Sequence, residues 1–173
     1  MDSWDTIWQK IIRDNKIKEE YKRAFLLNLF QKTCAKMNND ISYKNHIMVL
    51  FRQSYNKQNT TKSIIEHEHG FSLTDNDSEI MYKWFDAYIK KSNKRLPIPH
   101  STKDALYNSQ RGLCMICGQP LGSDWKNIHI DHIIPWILVG DELDNNYQLL
   151  CSTCNQCKNS KTDFIFKSLL SLV

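Results

Sequence analysis

Proline and glycine are almost missing from the first half of the chain. Residues 1–96 contain no proline and a single glycine, Gly70, whereas the other glycines and all four prolines lie between Pro97 and Gly140. Because proline breaks helices and glycine favours turns, this absence excludes a turn-rich fold for the first half and predicts a long helical region. The second half is predicted to be a turn-rich module.

Long apolar runs are also missing. The longest, Ile133 to Val139, is interrupted by Pro135 and is far too short to cross a bilayer, so no membrane partner is expected. The acidic start, Met1 to Asp5, is not followed by an apolar stretch, so we expect no secretory signal and a cytoplasmic protein. With 41% hydrophobic residues among its 173, the chain is nevertheless too apolar to be disordered.

A strong excess of either charge is absent as well, since the formal net charge is +4. The two halves differ, however. Residues 1–99 carry 17 basic and 12 acidic side chains, and residues 100–173 carry 6 and 7. The basic half fits a phosphate-contacting surface as well as an ordinary solvated one. We therefore predict that the helical half binds DNA, a protein partner or a second copy of the chain.

Apolar residues recur at helical spacing through the first half. Ser42 is a candidate N-cap for the third helix, and the polar run 56–63 is predicted to be a loop. The histidine-rich segment 66–69 lacks the spacing of a zinc-binding helix and is interpreted as exposed loop. The predicted apolar stripes are Trp4–Ile12, Leu26–Met37, Ile47–Tyr55 and Met81–Tyr88.

A domain boundary is predicted where the basic run that begins at Lys90 meets a Pro-x-Pro segment ending at Pro99. The spacing from Ser101 to Asp104 resembles a capping box and predicts a short helix that ends before Gly112. The sequence thus predicts a helical domain over residues 1–95, a linker over 96–100 and a second module over 101–173.

Five of the six cysteines cluster in the second module. Two C-x2-C pairs, Cys114/Cys117 and Cys151/Cys154, are separated by 33 residues and together supply the four thiolates of a tetrahedral zinc site. Such a site leaves no position for water, so the predicted zinc is structural. Cys154 and Cys157 form a rival second pair. We prefer Cys151/Cys154 and interpret Cys157 as a small buried side chain.

The sequence between and after these pairs contains candidate catalytic side chains. Apolar residues on either side of Asp131 and before Cys151 predict two short strands, and residues 154 to about 171 predict a terminal helix. The Asp131 carboxylate is a hard ligand that suits Mg²⁺, and neutral His132 is a base near pH 7. Asn155 offers a second oxygen to the same ion.

The segment Arg111–Lys161 resembles the HNH endonucleases of the ββα-metal type, in the subgroup with an Asp-His…Asn…Asn pattern. The matching motifs are Cys-x-x-Cys-Gly, Ile-Asp-His-Ile-Ile-Pro, Asn-Tyr-Gln-Leu-Leu-Cys and Cys-Asn-x-x-Lys, in the order of the family. The predicted fold class is therefore mainly α with a small α+β module, in which a helical domain precedes a zinc-stapled nuclease module.

The resemblance implies a role for each matching residue. His132 would activate water, Asp131 and Asn155 would hold Mg²⁺ or another divalent metal, and Asn146 would brace the loop that orients the base. The family often has histidine where this chain has Asn155, which leaves the metal preference open. Phosphate contacts are predicted for Lys158, Lys161 and His129.

The predicted function is metal-dependent hydrolysis of phosphodiester bonds in DNA, in restriction or antiviral defence. By resemblance the products would carry 5′-phosphate and 3′-hydroxyl ends. Two alternatives stay open at this point: a nuclease effector subunit that needs a protein partner, and a non-catalytic zinc module that binds nucleic acid.

Overall fold

The computed structural model describes Gln9 and residues 13–159. The predicted first helix, Lys161 and the greater part of the predicted terminal helix lie outside the described residues. No helix in the described ranges combines the length and the apolar character that a membrane span needs. The elements are α1 (Asn15–Asn39), α2 (Ile41–Gln53), α3 (Lys57–His69), α4 (Asp75–Lys90), α5 (His100–Ser109), β1 (Ile128–His132), α6 (Trp136–Val139), β2 (Tyr147–Cys151) and α7 (Ser152–Lys158).

Side-chain caps determine where three of the helices begin. Asp40, Asn56 and Thr74 each accept a hydrogen bond from the backbone N–H three residues further on, at the starts of α2, α3 and α4. Ser42 was predicted as a cap, which is wrong because Asp40 holds that position. The capping box at Ser101 is also wrong, since α5 begins one residue earlier, after Pro99, without a side-chain cap.

Helix α3 corrects two further predictions. The polar run 56–63, predicted as a loop, is the cap and first half of this helix, and the segment 66–69 is its last turn rather than a loop. Thr61, Ile64 and Ile65 bury one face of α3, which is enough to hold a helix that is polar elsewhere. Gly70, at φ +63°, ends it in a left-handed conformation that suits glycine.

Helices α1 to α4 share one apolar core, centred on Phe30 and Phe85, whose rings meet edge to face at 5.0 Å. The stripes of α1 and α4 face this core as predicted. The stripe of α2 is only half correct, because Ile47 and Phe51 are buried whereas Tyr55 is fully exposed beyond the end of the helix. The buried stripe residues of α1 and α4 are Leu26, Leu29, Phe30, Cys34, Met37, Met81, Trp84, Phe85 and Tyr88.

The second module contains a two-stranded antiparallel sheet, as predicted. In its register Ile128 of β1 lies opposite Cys151 of β2, and His132 lies opposite Tyr147. A small second core packs against this sheet and consists of Cys114, Leu121, Ile128, Leu149 and Leu150. Mainly helical structure with a small α+β module is therefore confirmed as the fold class.

The connection between the two strands leaves the small sheet and packs into the helical core. Ile134 and Val139 are buried there, with Leu138 and Leu143 at the edge. The packing therefore crosses the predicted linker, although the proposed boundaries themselves stay a prediction. As a result, the strand that carries Asp131 and His132 is followed by a segment anchored in the first half of the molecule.

Candidate active site and metal centre

The four predicted zinc ligands come together. The sulfur atoms of Cys114, Cys117, Cys151 and Cys154 all lie within 4.8 Å of one another, and those of Cys117 and Cys151 are 3.9 Å apart. With a Zn–S distance of about 2.3 Å, a tetrahedral site has sulfurs about 3.8 Å apart, so this donor set fits zinc. In the described part of the chain it is the one such cluster of three or more histidine, cysteine or carboxylate side chains.

Backbone N–H groups donate to two of the four cysteine sulfurs. The N–H of Cys151 donates to the sulfur of Cys114 at 3.4 Å, and the N–H of Cys154 donates to the sulfur of Cys151 at 3.4 Å. Burial opposes ionisation of Cys114, but backbone N–H groups outweigh it and lower the pKa of this thiol to about 7. Gly118 closes the first turn at φ +68°, as the knuckle requires.

Cys157 lies outside the cluster, which decides between the two candidate pairs in favour of Cys151/Cys154. The prediction that Cys157 is buried is wrong, because its side chain is exposed. Lys158, the next residue, is the buried residue of α7.

His132 is held by a carboxylate that the sequence analysis missed. Its Nε2 atom lies 3.0 Å from Oδ1 of Asp141, and both side chains are largely buried. The ring of Tyr147 contacts the imidazole at a centroid distance of 4.7 Å. No motif spacing marks Asp141, since it lies in the loop nine residues after His132, where a polar side chain is ordinary.

Asp141 accepts hydrogen bonds from several directions. Besides His132, its donors are Nε1 of Trp136 at 3.1 Å, the hydroxyl of Tyr147 at 2.9 Å and the backbone N–H of Leu96 at 2.9 Å. Burial alone would raise the pKa of Asp141, but these donors lower it to about 2. The carboxylate is therefore ionised at neutral pH and can only accept. Neutral His132 must then carry its proton on Nε2, which leaves Nδ1 as the basic atom.

Asp131 faces a buried lysine. Its Oδ2 accepts hydrogen bonds from Nε2 of Gln148 at 3.0 Å and from Nζ of Lys158 at 2.8 Å. Lys158 also donates to the backbone carbonyl of His132 at 2.7 Å, and only 2% of the residue is exposed. The structure therefore places this predicted phosphate contact beneath the site rather than on the surface. Both of these hydrogen bonds fall on Oδ2 of Asp131 and none of them on Oδ1.

The other predicted site residues occupy distinct places. Buried Asn146 accepts the N–H of Ile134 at 2.8 Å and donates to the carbonyl of the same residue at 3.0 Å, which is the contact that a brace of this loop needs. Asn155 lies on α7 and faces the same cleft as Asp131 and His132. His129 lines a different cleft.

Two open clefts flank the end of β1. The larger, about 720 Å³, is lined by Asp131, His132 and Asn155 together with Trp136. The smaller, about 410 Å³, is lined by His129, Lys103 and Asp141. His132 and Arg95 border both clefts.

Comparison with known families agrees with this geometry. Residues 114–161 match the family model of the HNH endonuclease. This matched segment, which is similar to an HNH endonuclease, is called the HNH domain. A search of the curated proteins and of the solved structures gave no match for the chain. The HNH domain supports a nuclease with a nucleic-acid substrate, and the helical region lies outside the matched residues.

Residues that precede the matched segment contact the HNH domain. The backbone of Leu96 donates to Asp141, and the guanidinium of Arg95 lies over the ring of Trp136 at 5.0 Å. The ammonium of Lys91 donates to the carbonyl of Ile137. The segment that follows α4 therefore contacts the loop that orients the histidine.

Proposed function

We propose that the protein is a metal-dependent endonuclease that hydrolyses phosphodiester bonds in DNA. One observation carries the proposal: His132 is fixed through Nε2 by the ionised Asp141, in a cleft that also presents Asp131 and Asn155. This arrangement supplies a base with a defined basic atom beside two oxygen donors. A purely structural or binding role for the module requires none of these alignments.

In the proposed reaction, Nδ1 of His132 removes a proton from a water molecule whose oxygen attacks the phosphorus. The bond from phosphorus to the 3′ oxygen breaks, and that oxygen takes a proton from solvent. The products then carry a 5′-phosphate and a 3′-hydroxyl. Asp141 stabilises the imidazolium that His132 becomes, because its carboxylate already accepts a hydrogen bond from Nε2 of His132.

Asp131, through Oδ1, and Asn155 would hold Mg²⁺ or a similar divalent ion. Hard oxygen donors suit that ion, and two protein ligands leave positions for phosphate oxygens and water. When bound, the ion supplies Lewis-acid stabilisation of the charge that develops on the phosphate and the leaving oxygen. Asn146 keeps the loop after His132 in place through its two hydrogen bonds to Ile134. The four cysteines would hold a structural zinc.

Digestion assays with the purified full chain test this proposal. Supercoiled plasmid, linear duplex and an RNA transcript of the same sequence are incubated with Mg²⁺, with Mn²⁺ or with a chelator. We expect metal-dependent nicking of DNA, with ends that a ligase accepts directly. Binding to DNA without cleavage under any divalent metal would contradict the proposal and favour the non-catalytic module.

The biological role rests on the resemblance alone, and we propose restriction or antiviral defence. Discrete plasmid fragments would support restriction, and unselective nicking would contradict it. Activity that begins only after a partner protein is added would instead support the effector subunit. Expression of the wild type and of the His132→Ala variant in cells that are then infected with phage tests the defence role directly.

A further inference from the structure

The HNH domain has little positive charge with which to hold a polyanion. Residues 114–161 carry three basic and five acidic side chains, and the ammonium of Lys158 is buried against Asp131. Nucleic-acid affinity depends largely on cations that contact phosphates. Cations that bind the substrate near His132 are therefore expected among the side chains that line the two clefts.

Histidines aside, two cationic side chains line these clefts in the described part of the chain, Arg95 and Lys103. Both precede the residues that match the family. The carboxylates of Asp131 and Asp141 also line the clefts, so without Arg95 and Lys103 the lining would be negative even after the buried Lys158 is included. Their charges reverse that balance.

Arg95 is preorganised for this task. Its guanidinium lies over the ring of Trp136 at 5.0 Å, and a planar guanidinium beside an aromatic ring can still donate hydrogen bonds from its edges. Trp136 in turn donates to Asp141, and so does the backbone of the neighbouring Leu96. The same carboxylate that orients His132 thus also fixes the surroundings of Arg95.

We propose that Arg95 and Lys103 form a phosphate-binding track for the DNA strand that is cut. Arg95 borders both clefts together with His132, and it binds the phosphate that is attacked. Lys103, half-buried on α5 beside the smaller cleft, binds the next phosphate along the strand. The assignment rests on the proposed function and names where that site holds its substrate.

Binding to a fluorescein-labelled 30-base-pair duplex tests the proposal without any cleavage. Arg95→Ala and Lys103→Ala are each placed in the full-length, zinc-loaded His132→Ala background, and anisotropy is measured with Ca²⁺ over a series of salt concentrations. Each change should weaken binding by about tenfold and reduce the slope of log K against log salt by about 0.9. Arg95→Lys should recover only part of the loss, because a lysine keeps the charge and loses the fork of donors.

Lys94→Ala and Lys126→Ala are matched controls, since both lysines are exposed and line neither of these clefts. The proposal is overturned if Arg95→Ala or Lys103→Ala weakens binding no more than these controls do. It is also overturned if the affinity falls without a change in the salt slope, because that result indicates a structural role. A chain that binds in this way and cuts nothing would refute the proposed function and leave the track intact.

Discussion

The helical region and the cysteine-cluster region, which contains the four clustered cysteines, differ in the size of their buried apolar cores. Among the described residues the helical core contains eighteen buried hydrophobic side chains, two of them supplied by the loop after β1, whereas the core beside the small sheet contains five. A core of five is too small to offset the loss of chain entropy in a region of this size, so that region depends on its four thiolates. Apolar packing stabilises one half, and a metal is expected to stabilise the other.

The proposed catalytic side chains lie where the two regions meet. Asp131 and His132 are on β1 of the cysteine-cluster region, and Asp141 follows a segment that is anchored in the helical core through Val139. The position of the base thus depends on both kinds of stabilisation. Four changes test this comparison: the first two each weaken one contribution and leave the other in place, and the last two act on the polar contacts of the site between the regions.

Cys114→Ser should have the largest effect. Loss of one buried ligand should abolish zinc binding and unfold the second module, since structural zinc contributes about 10–16 kcal/mol in small zinc-binding peptides. Metal analysis should find less than one zinc per chain, and circular dichroism should show that much of the helical signal is retained. Cys157→Ser is the matched control, because this exposed thiol lies outside the cluster and its loss should leave the zinc content unchanged.

Phe85→Ala should lower the stability of the helical region. The ring is fully buried against Phe30 and Phe51, and its removal leaves a cavity that costs about 4 kcal/mol. Thermal unfolding should show this loss, while one zinc per chain stays bound. Release of zinc together with the helical transition would show that the two regions unfold as one unit. Tyr55→Ala, at a fully exposed ring, is the control.

Lys158→Ala should lower the free energy of unfolding by about 3 kcal/mol. The change leaves the carboxylate of Asp131 and the carbonyl of His132 without their buried donor. Denaturant unfolding measures the loss, with Lys126→Ala as the exposed control. A variant as stable as the wild type would mean that this ammonium points to solvent and is free to bind phosphate, as the sequence first predicted.

Asp141→Asn should have the smallest effect on stability and a specific dependence on pH. The pKa of Asp141 is lowered from 3.8 to about 2 by its hydrogen-bond donors, so its contribution is present above pH 4 and disappears as the pH falls from about 4 to about 2. The wild type should therefore lose more stability than the variant in this window.

The same variant should cut DNA about 10- to 100-fold more slowly at neutral pH with a similar KM, because an amide no longer fixes the tautomer of His132. Steady-state kinetics on a nicked-circle substrate measure both constants. An unchanged kcat would contradict a positioning role for Asp141.

Motifs with a chemical reason for their spacing were predicted well from the sequence. The two cysteine pairs and the two short strands are confirmed, because metal ligation and strand alternation fix residue spacing. The polar start of α3 was missed, since the apolar face that buries it depends on the neighbouring helices. Asp141, Arg95 and the buried amine of Lys158 were missed for a related reason. The partners of Asp141 and Arg95 are brought close by the packing of the loop after β1 into the helical core, and those of Lys158 by the packing of α7 against β1.

The proposed role of His132 as the base of a DNA-cutting site is the central claim. The decisive measurement is the rate of nicking of supercoiled plasmid with Mg²⁺ by the wild type and by His132→Ala, at matched zinc content and melting temperature. We predict that the variant is at least about 100-fold slower, in line with the usual contribution of a general base, and that it binds DNA as tightly as the wild type. Equal nicking rates for the two proteins would contradict the account.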